Sequence, residues 1–265
     1  MKVRKAVIPA AGLGTRFYPL TKEQPKEMLP VVDKPTIHYV VEEAVNSGIE
    51  DVLIILGRNK DVIVDYFDKS LRYNNGGVDI WNKCNIYYVR QKEQIGLADA
   101  IRYARAHVND EPFAVLLGDT INIAEIPVTR QLMNMYEKLQ KPVIAIETVT
   151  PKKAKDYGIV AGDMIDEKLM RINEMLEKPE NPPTLYGISG NYILDKEIFE
   201  NIDKIHFGKN KELQLTDAIE LYMEKYGYLF DGKRYDIGDL YTWMKANFEL
   251  TLKDSRFLGL REELL

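Results

Sequence analysis

Along the first half of the chain, short runs of apolar residues alternate with longer stretches in which apolar and polar positions interleave. Val7-Ile8-Pro9 end a β-branched run that breaks into small residues, the pattern of a buried parallel strand running into a loop. DKPTIHYVVEEAVNSG then sets Ile37, Val40, Val41, Ala44 and Val45 at helical spacing, with Pro35 near the first turn and Gly48 just past the end. DVLIILG predicts a second buried strand, residues 61–69 a helix, IYYVR a strand, LADAIRYARAHV a helix and FAVLLGD another buried strand. RYNNGGVDIWNKCN, residues 72–85, predicts a loop or hairpin excursion from its paired Asn and Gly. Alternating strands and helices predict an α/β fold with a twisted, mostly parallel sheet and right-handed crossovers.

Beyond PVIAIETVT the apolar pieces shorten. YGIVAGD, RINEMLEKP and GNYIL, within 157–194, predict an antiparallel or mixed section forming the second wall of a cleft. LQLTDAIELYMEKYG and DLYTWMKANFELTLKD predict late helices separated by a hairpin that ends at YDIGD, with Asp239 as N-cap of the second. No internal repeat or low-complexity linker divides the chain.

Composition narrows the classes. The 265 residues suffice for one large domain with an appended subdomain, and 45% apolar with 29% charged residues is ordinary soluble material. No apolar stretch approaches the ~18 residues of a membrane span, and the apolar run from Ala6 to Ala11 is too short for a secretion signal, so no export is expected. A lone cysteine, Cys84, leaves no disulfide framework or thiolate metal cluster and suits a reducing cytoplasm. His38, His107 and His206 lie too far apart for a zinc motif, and a net charge of -5 without a basic block argues against a nucleic-acid surface.

The stretch carrying chemistry is AVIPAAGLGTRFYPLTKEQPKEMLP. Gly12 and Gly14 after a strand let backbone N–H groups approach phosphate oxygens, and Arg16 adds a fork of charged donors. It is no P-loop, which needs Gly-Lys followed by Ser or Thr, and no dinucleotide loop, which needs a small residue where Phe17 stands. With Pro19, Thr21 and Pro25-Lys26 in register, the stretch resembles the GxGTRxxPxTxxxPK signature of sugar-1-phosphate nucleotidylyltransferases. PKEMLPVVDKPTIHYVVEEAV, SGIEDVLIILGRNK, FAVLLGD and ELQLTDAI extend the likeness over most of the chain, toward the bacterial-type UTP-glucose-1-phosphate uridylyltransferases.

This resemblance implies a Rossmann-like nucleotide-diphosphosugar transferase fold, a central mixed, mostly parallel sheet flanked by helices. It implies a single domain, with a nucleotide-binding part over about 1–125, a sugar-binding part over about 126–238 and a C-terminal helical segment over about 239–265. Its implied reaction joins UTP and α-D-glucose 1-phosphate to give UDP-glucose and pyrophosphate, with Mg²⁺ as cofactor, in a cytoplasmic homodimer or homotetramer. Ala11, Gly12 and Gly14 would cradle the nucleotide, Arg16 would grip its leaving phosphates and Lys26 would reach the reacting phosphate. Lys22 divides between such a role and a solvated one. Gln91 and Gly96 would read the imide edge of uracil or thymine, while Gln94, off register, would face solvent. Asp119 and Asp236 would hold the metal, although Thr120 stands where members of the family commonly carry a second aspartate. Gly158, Glu177 and Lys178 would form the sugar pocket, Glu177 accepting from hydroxyls and Lys178 holding the sugar phosphate; EKP alone reads as an exposed charged turn. The same edge chemistry leaves dTTP as an alternative donor, and a non-catalytic sugar-nucleotide sensor as an alternative of another class. The helical C-terminus, with Trp243, Phe248, Leu250 and Leu252, divides between core packing and a subunit contact, and the excursion is shorter than in common bacterial members.

Overall fold

A computed structural model describes residues 2–68, 83–257, 259–260 and 263. Its first strand, β1 (Lys5–Ala10), is followed by the signature loop with two 3₁₀ turns, Thr15–Phe17 and Lys26–Met28. A small hairpin of β2 (Pro30–Val31) and β3 (Lys34–Pro35) leads into α1 (Thr36–Asn46), with Pro35 as N-cap. β4 (Asp51–Leu56), α2 (Asp61–Phe67) and β5 (Asn85–Arg90) follow as predicted. Most of the predicted excursion at 72–85 lies outside the described residues. The helix predicted over LADAIRYARAHV divides into α3 (Leu97–Arg102) and α4 (Arg105–Val108), because Tyr103 and Ala104 bond three residues back and tighten the turn.

β6 (Phe113–Leu116) ends earlier than FAVLLGD suggests, so Asp119 sits in the turn before β7 (Thr120–Ile123) rather than on a strand end. Next come α5 (Val128–Leu139), β8 (Val143–Thr148), β9 (Gly158–Met164), β10 (Leu169–Glu177), β11 (Tyr186–Leu194) and α6 (Glu197–Ile202). Neither α5 nor α6 is among the predicted elements. Of the helix predicted over LQLTDAIELYMEKYG only α7 (Leu215–Glu220) forms, and Tyr226 starts β12 (Tyr226–Leu229). β12 fills the gap between β8 and β10 and pairs with both, so ladder bonds on two sides outweigh local helix preference. β13 (Lys233–Asp236) pairs antiparallel with β7 and not with β12, which replaces the predicted hairpin by two separate ladders. α8 (Leu240–Lys253) closes the series, capped as predicted by Asp239, whose carboxylate accepts from Thr242 N while Thr242 Oγ1 accepts from Asp239 N.

Nine strands form one sheet in the order β5-β4-β1-β6-β11-β8-β12-β10-β9. The first four are mutually parallel, as the alternating pattern predicts. Beyond β6 the pairings are antiparallel apart from β8 with β12, which makes the sheet mixed. Strand alternation splits the core: Val7, Leu53 and Val115 face α3, α6 and α7, whereas Ala6, Ile8 and Ile54 face α1, α2 and α5. A third cluster joins Phe17, Leu29 and Val31 to Ile121, Tyr235 and Ile237, with Ala246, Trp243 and Leu250 of α8 over it. Trp243 Nε1 donates to Pro30 O at 2.8 Å and Asn247 Oδ1 accepts from Val32 N at 2.9 Å. Thus Trp243 and Leu250 are half-buried and packed on this cluster, Leu252 is half-buried, and Phe248 stays exposed. Burying Phe17 contributes about 1.5–3 kcal/mol toward holding the loop down.

The entrance to β1 is tied electrostatically. Glu111 accepts from Arg4 Nε at 2.6 Å and Nη2 at 2.8 Å, and Lys5 Nζ lies 2.7 Å from it. Hydrogen bonds from Arg4 and Lys5 pull the Glu111 pKa down to about 2. A depressed carboxylate pKa adds stability above the unfolded value and loses it as pH falls through the folded one. Glu111→Gln should therefore lower Tm at neutral pH, and the gap from the unaltered protein should close between pH 4.5 and about 2. Thermal melts followed by circular dichroism across that window check it; a constant gap would refute the linkage.

Candidate functional site

The loops that follow β1, β4, β5 and β6 emerge together at the carboxyl ends of four parallel strands, where open α/β sheets bind ligands. Those after β1, β5 and β6 line a cleft of 380 Å³ with Ala11, Gly12, Gly14, Lys26, Gln91, Gly96 and Asp119. All seven were singled out by sequence. Gly14 adopts φ 67°, and Thr21 Oγ1 donates to its carbonyl at 2.8 Å, so the threonine of the signature fixes the loop's turn. Arg16 is exposed on the 3₁₀ turn beside buried Phe17, and its charge acts on both Lys26 and Asp119. Lys22 is exposed and does not line the cleft. Gln94 is exposed, as read, and it also lines the cleft, with its amide packed close against Gly57.

Lys26 and Asp119 form an ion pair across the cleft floor. Burial alone would raise the Asp119 pKa, but the Lys26 ammonium outweighs it and holds the carboxyl below its ordinary range. Burial likewise works against the Lys26 charge, and Asp119 with Glu27 overcomes it, so the lysine pKa is raised. Beneath them lies a second pair that the sequence reading missed. Lys60 Nζ stands 2.8 Å from Glu27 Oε2 and 2.9 Å from Oε1, and donates to Gly12 O at 2.7 Å. Glu27 is 1% exposed and Lys60 5%, so this pair anchors the glycine loop to the end of β4 from inside the protein. Both residues lie inside stretches quoted above, PKEMLP and GRNK; a lysine in the loop after a buried parallel strand was the available signal.

Gln91 follows β5 and its N–H donates to Leu56 O at 2.9 Å. Gly96 opens α3 at φ 129°, and a Cβ there would meet Leu213 O at 2.4 Å and N at 2.5 Å. Only glycine fits, because Leu213 clasps this turn: its N–H donates to Ile95 O at 2.7 Å and its carbonyl accepts from Ala98 N at 3.0 Å. ELQL and IGLA are thus two sides of one joint.

The second group of predicted residues lies outside that cleft lining and connects to it through β7 and β13. Their register sets Asp236 opposite Thr120, and Ile237 N donates to Asp119 O at 2.8 Å, so the backbone at the two aspartates adjoins despite their distance in sequence. Asp236 Oδ2 accepts from Tyr157 Oη at 2.8 Å. Burial and the neighbouring Asp236 push the Tyr157 pKa up to about 12, which keeps it a donor. Arg234 lies 4.5 Å over the Tyr157 ring and is anchored 2.6 Å from Glu147. Next to Tyr157, Gly158 pairs with Glu177 in the β9–β10 ladder. Glu177 accepts from Thr216 Oγ1 at 2.7 Å, and Lys178 Nζ is 3.3 Å from its other oxygen. Lys178 takes φ 47°, a turn just beyond β10, with its N–H on Tyr157 O at 3.1 Å. Tyr157 and Thr216 were not singled out, although both lie in quoted motifs; a lone hydroxyl carries no spacing signal.

The nucleotidyl transferase family model matches residues 5–252. The chain is 45% identical to UTP--glucose-1-phosphate uridylyltransferase 1 of Staphylococcus saprophyticus, over 96% of this chain and 94% of that one. It is 46% identical to UTP--glucose-1-phosphate uridylyltransferase YngB of Bacillus subtilis, over 95% of this chain and 90% of that one. Among solved structures it is similar to a UDP-glucose pyrophosphorylase complexed with UDP-glucose, at a TM-score of 0.90 and 41% identity, covering 95% of this chain and 100% of the other.

Removing one member of a buried ion pair strands the other's charge. Lys60→Met should cost about 3–5 kcal/mol in chemical denaturation, and Lys60→Met with Glu27→Met should recover most of it. The deficit of the single variant should shrink as pH is lowered toward the ordinary carboxylate range, since burial raises the Glu27 pKa and the stranded acid takes up a proton in the folded state. Equal losses in the single and double variants would refute the pairing argument.

Proposed function

The chain belongs to the nucleotidyl transferase family, and on that footing we propose that it transfers a uridylyl group from UTP to α-D-glucose 1-phosphate, releasing pyrophosphate and giving UDP-glucose. One observation carries the reading: the β7–β13 ladder joins the cleft of Gln91, Lys26 and Asp119 to the wall of Tyr157, Gly158 and Glu177 through Asp236. That is one place for a nucleotide, one for a sugar, and acidic and basic groups between them.

In this reading Gln91 and Gly96 hold the base, and the backbone of Ala11, Gly12 and Gly14 receives the nucleotide. Arg16 and Lys26 neutralise its phosphates. Gly158, lacking a Cβ, lets Glu177 and Thr216 pack close against the strand, Glu177 accepts from glucose hydroxyls, and Lys178 binds the sugar phosphate. A phosphate oxygen of glucose 1-phosphate bonds to the α phosphorus in line as the bond from that phosphorus to the pyrophosphate oxygen breaks. The nucleophile is already an anion, so no side chain need take a proton; positioning and charge neutralisation suffice. Lys26, its pKa raised, stays cationic for that purpose.

The acidic pair fits a hard divalent cation. Asp119 stays ionised against burial, one of its oxygens already takes the Lys26 ammonium, and Asp236, a second acidic residue, adjoins its backbone across the β7–β13 ladder. Oxygen-only donors suit Mg²⁺, with substrate phosphates and water completing the shell. Bound there, Mg²⁺ would offset charge developing on the transferring phosphoryl group. A cytoplasmic location, which a single buried cysteine suits, and a homodimer or homotetramer complete the proposal. Tyr241, Met244 and Phe248 on α8 are exposed and available to a subunit contact.

A pyrophosphate-release assay with four nucleoside triphosphates and several sugar 1-phosphates tests the reading. UTP with glucose 1-phosphate should give the highest kcat/KM; a dTTP preference would shift the donor, and no turnover with any pair would point to a sensor. Asp119→Asn and Asp236→Asn should each fold yet lose at least about a hundredfold in kcat, with weakened Mg²⁺ dependence. The double variant should be scarcely worse, because groups serving one ion act as a unit. A fully active Asp236→Asn enzyme would sink the shared-ion assignment.

A further inference from the structure

Gln91 is held in one orientation by its neighbours. Its Nε2 lies 2.8 Å from Asp99 Oδ2 and 3.3 Å from Gly96 O. A carboxylate and a carbonyl only accept, so the amide nitrogen must face them, and both of its hydrogens are committed. Oε1 has no hydrogen-bond partner among the described residues, while Gln91 lines the cleft. The side chain therefore offers an acceptor to whatever base enters. Asp99 itself does not line the cleft; it is 5% exposed in the first turn of α3, and its other oxygen lies 3.3 Å from Arg102 Nη1. With the guanidinium on one oxygen and the amide on the other, the carboxylate is locked between two donors.

We propose that Asp99 is a positioning residue that sets base selectivity by fixing the Gln91 amide with its oxygen toward the cleft. This rests on the assignment of Gln91 as base reader. An acceptor at that point matches the N3–H of uracil or thymine and opposes cytosine, whose N3 carries a lone pair instead. Two acceptors facing each other out of water leave both unpaired, which discriminates on the order of ten- to a hundredfold. Without the carboxylate, only the longer 3.3 Å contact to Gly96 O holds the amide nitrogen back, so the glutamine amide can turn over, present N–H, and admit cytosine.

Steady-state kcat/KM for UTP and CTP, at saturating glucose 1-phosphate, tests this with Asp99→Asn and Asp99→Ala. The isosteric asparagine can face Gln91 with either end of its amide, and alanine removes the acceptor outright. Both should lower the UTP to CTP selectivity about tenfold or more, chiefly through gain with CTP, while KM for glucose 1-phosphate holds. Asp99→Glu retains an acceptor and should keep selectivity, as should Arg102→Gln, which removes only the other partner. Unchanged selectivity in folded Asp99→Asn and Asp99→Ala, or equal relaxation in Arg102→Gln, would overturn the proposal. A Gln91→Ala arm separates the two layers. If its KM for UTP is unchanged, the base-reading assignment falls with the proposal; if it rises about tenfold or more while the Asp99 variants stay selective, only the role of Asp99 falls.

Discussion

The site depends on a four-residue antiparallel pairing between β7 and β13. Strands so short contribute little stability by themselves, yet this ladder fixes which residues meet. It puts Asp236 opposite Thr120 and Ile237 N–H on Asp119 O, and from Asp236 the hydrogen bond to Tyr157 reaches the sheet half that holds Glu177. A slip of one residue would turn Asp236 to the other face. The third hydrophobic cluster guards against such a slip, since Ile121 of β7 and Tyr235 of β13 are buried in it together with Phe17 and Ala246. The C-terminal helix is thereby part of the site's scaffold even though none of its residues lines the cleft.

Charge is handled in two layers. Lys26 and Asp119 meet where a ligand can reach them, each perturbed by the other. Glu27 and Lys60 lie below with almost no exposure, and use the Gly12 carbonyl as a third partner. A buried pair of this kind is weak evidence for stability and stronger evidence for specification of geometry. Here it dictates the path of the one loop whose backbone must lie open to a ligand. The Leu213 clasp on Gly96 and the Asp99 brace on Gln91 act in the same way on the facing loop. Gly12, Gln91 and Gly96 are thus positioned by Lys60, Asp99 and Leu213, buried residues that do not line the cleft.

What the sequence determined by itself was the parallel half of the sheet and the residues that line the cleft. Unbroken apolar runs at Val7, Val52 and Val115 can only be strands covered on both faces, and the loops after them gather by topology at one edge. The signature's fixed spacing singled out Gly12, Gly14 and Lys26, and the resemblance it carries pointed to Gln91, Gly96 and Asp119; all six line one cleft. Tertiary structure alone decided the rest. Local propensity read helix through Lys225-Tyr226, but two strand edges needed a partner and took Tyr226 to Leu229 for it. Turn residues read a hairpin before Asp236, but β13 found β7 instead. The partners Asp99, Tyr157 and Thr216 were invisible because each reaches its site residue through one side-chain hydrogen bond to a position remote in the chain or aligned only by a turn, while Lys60, with contacts to both Glu27 and Gly12, left only its place after a strand as a signal. Periodicity records which face of an element is buried; it carries no information about which distant polar atom waits on the other side of the contact.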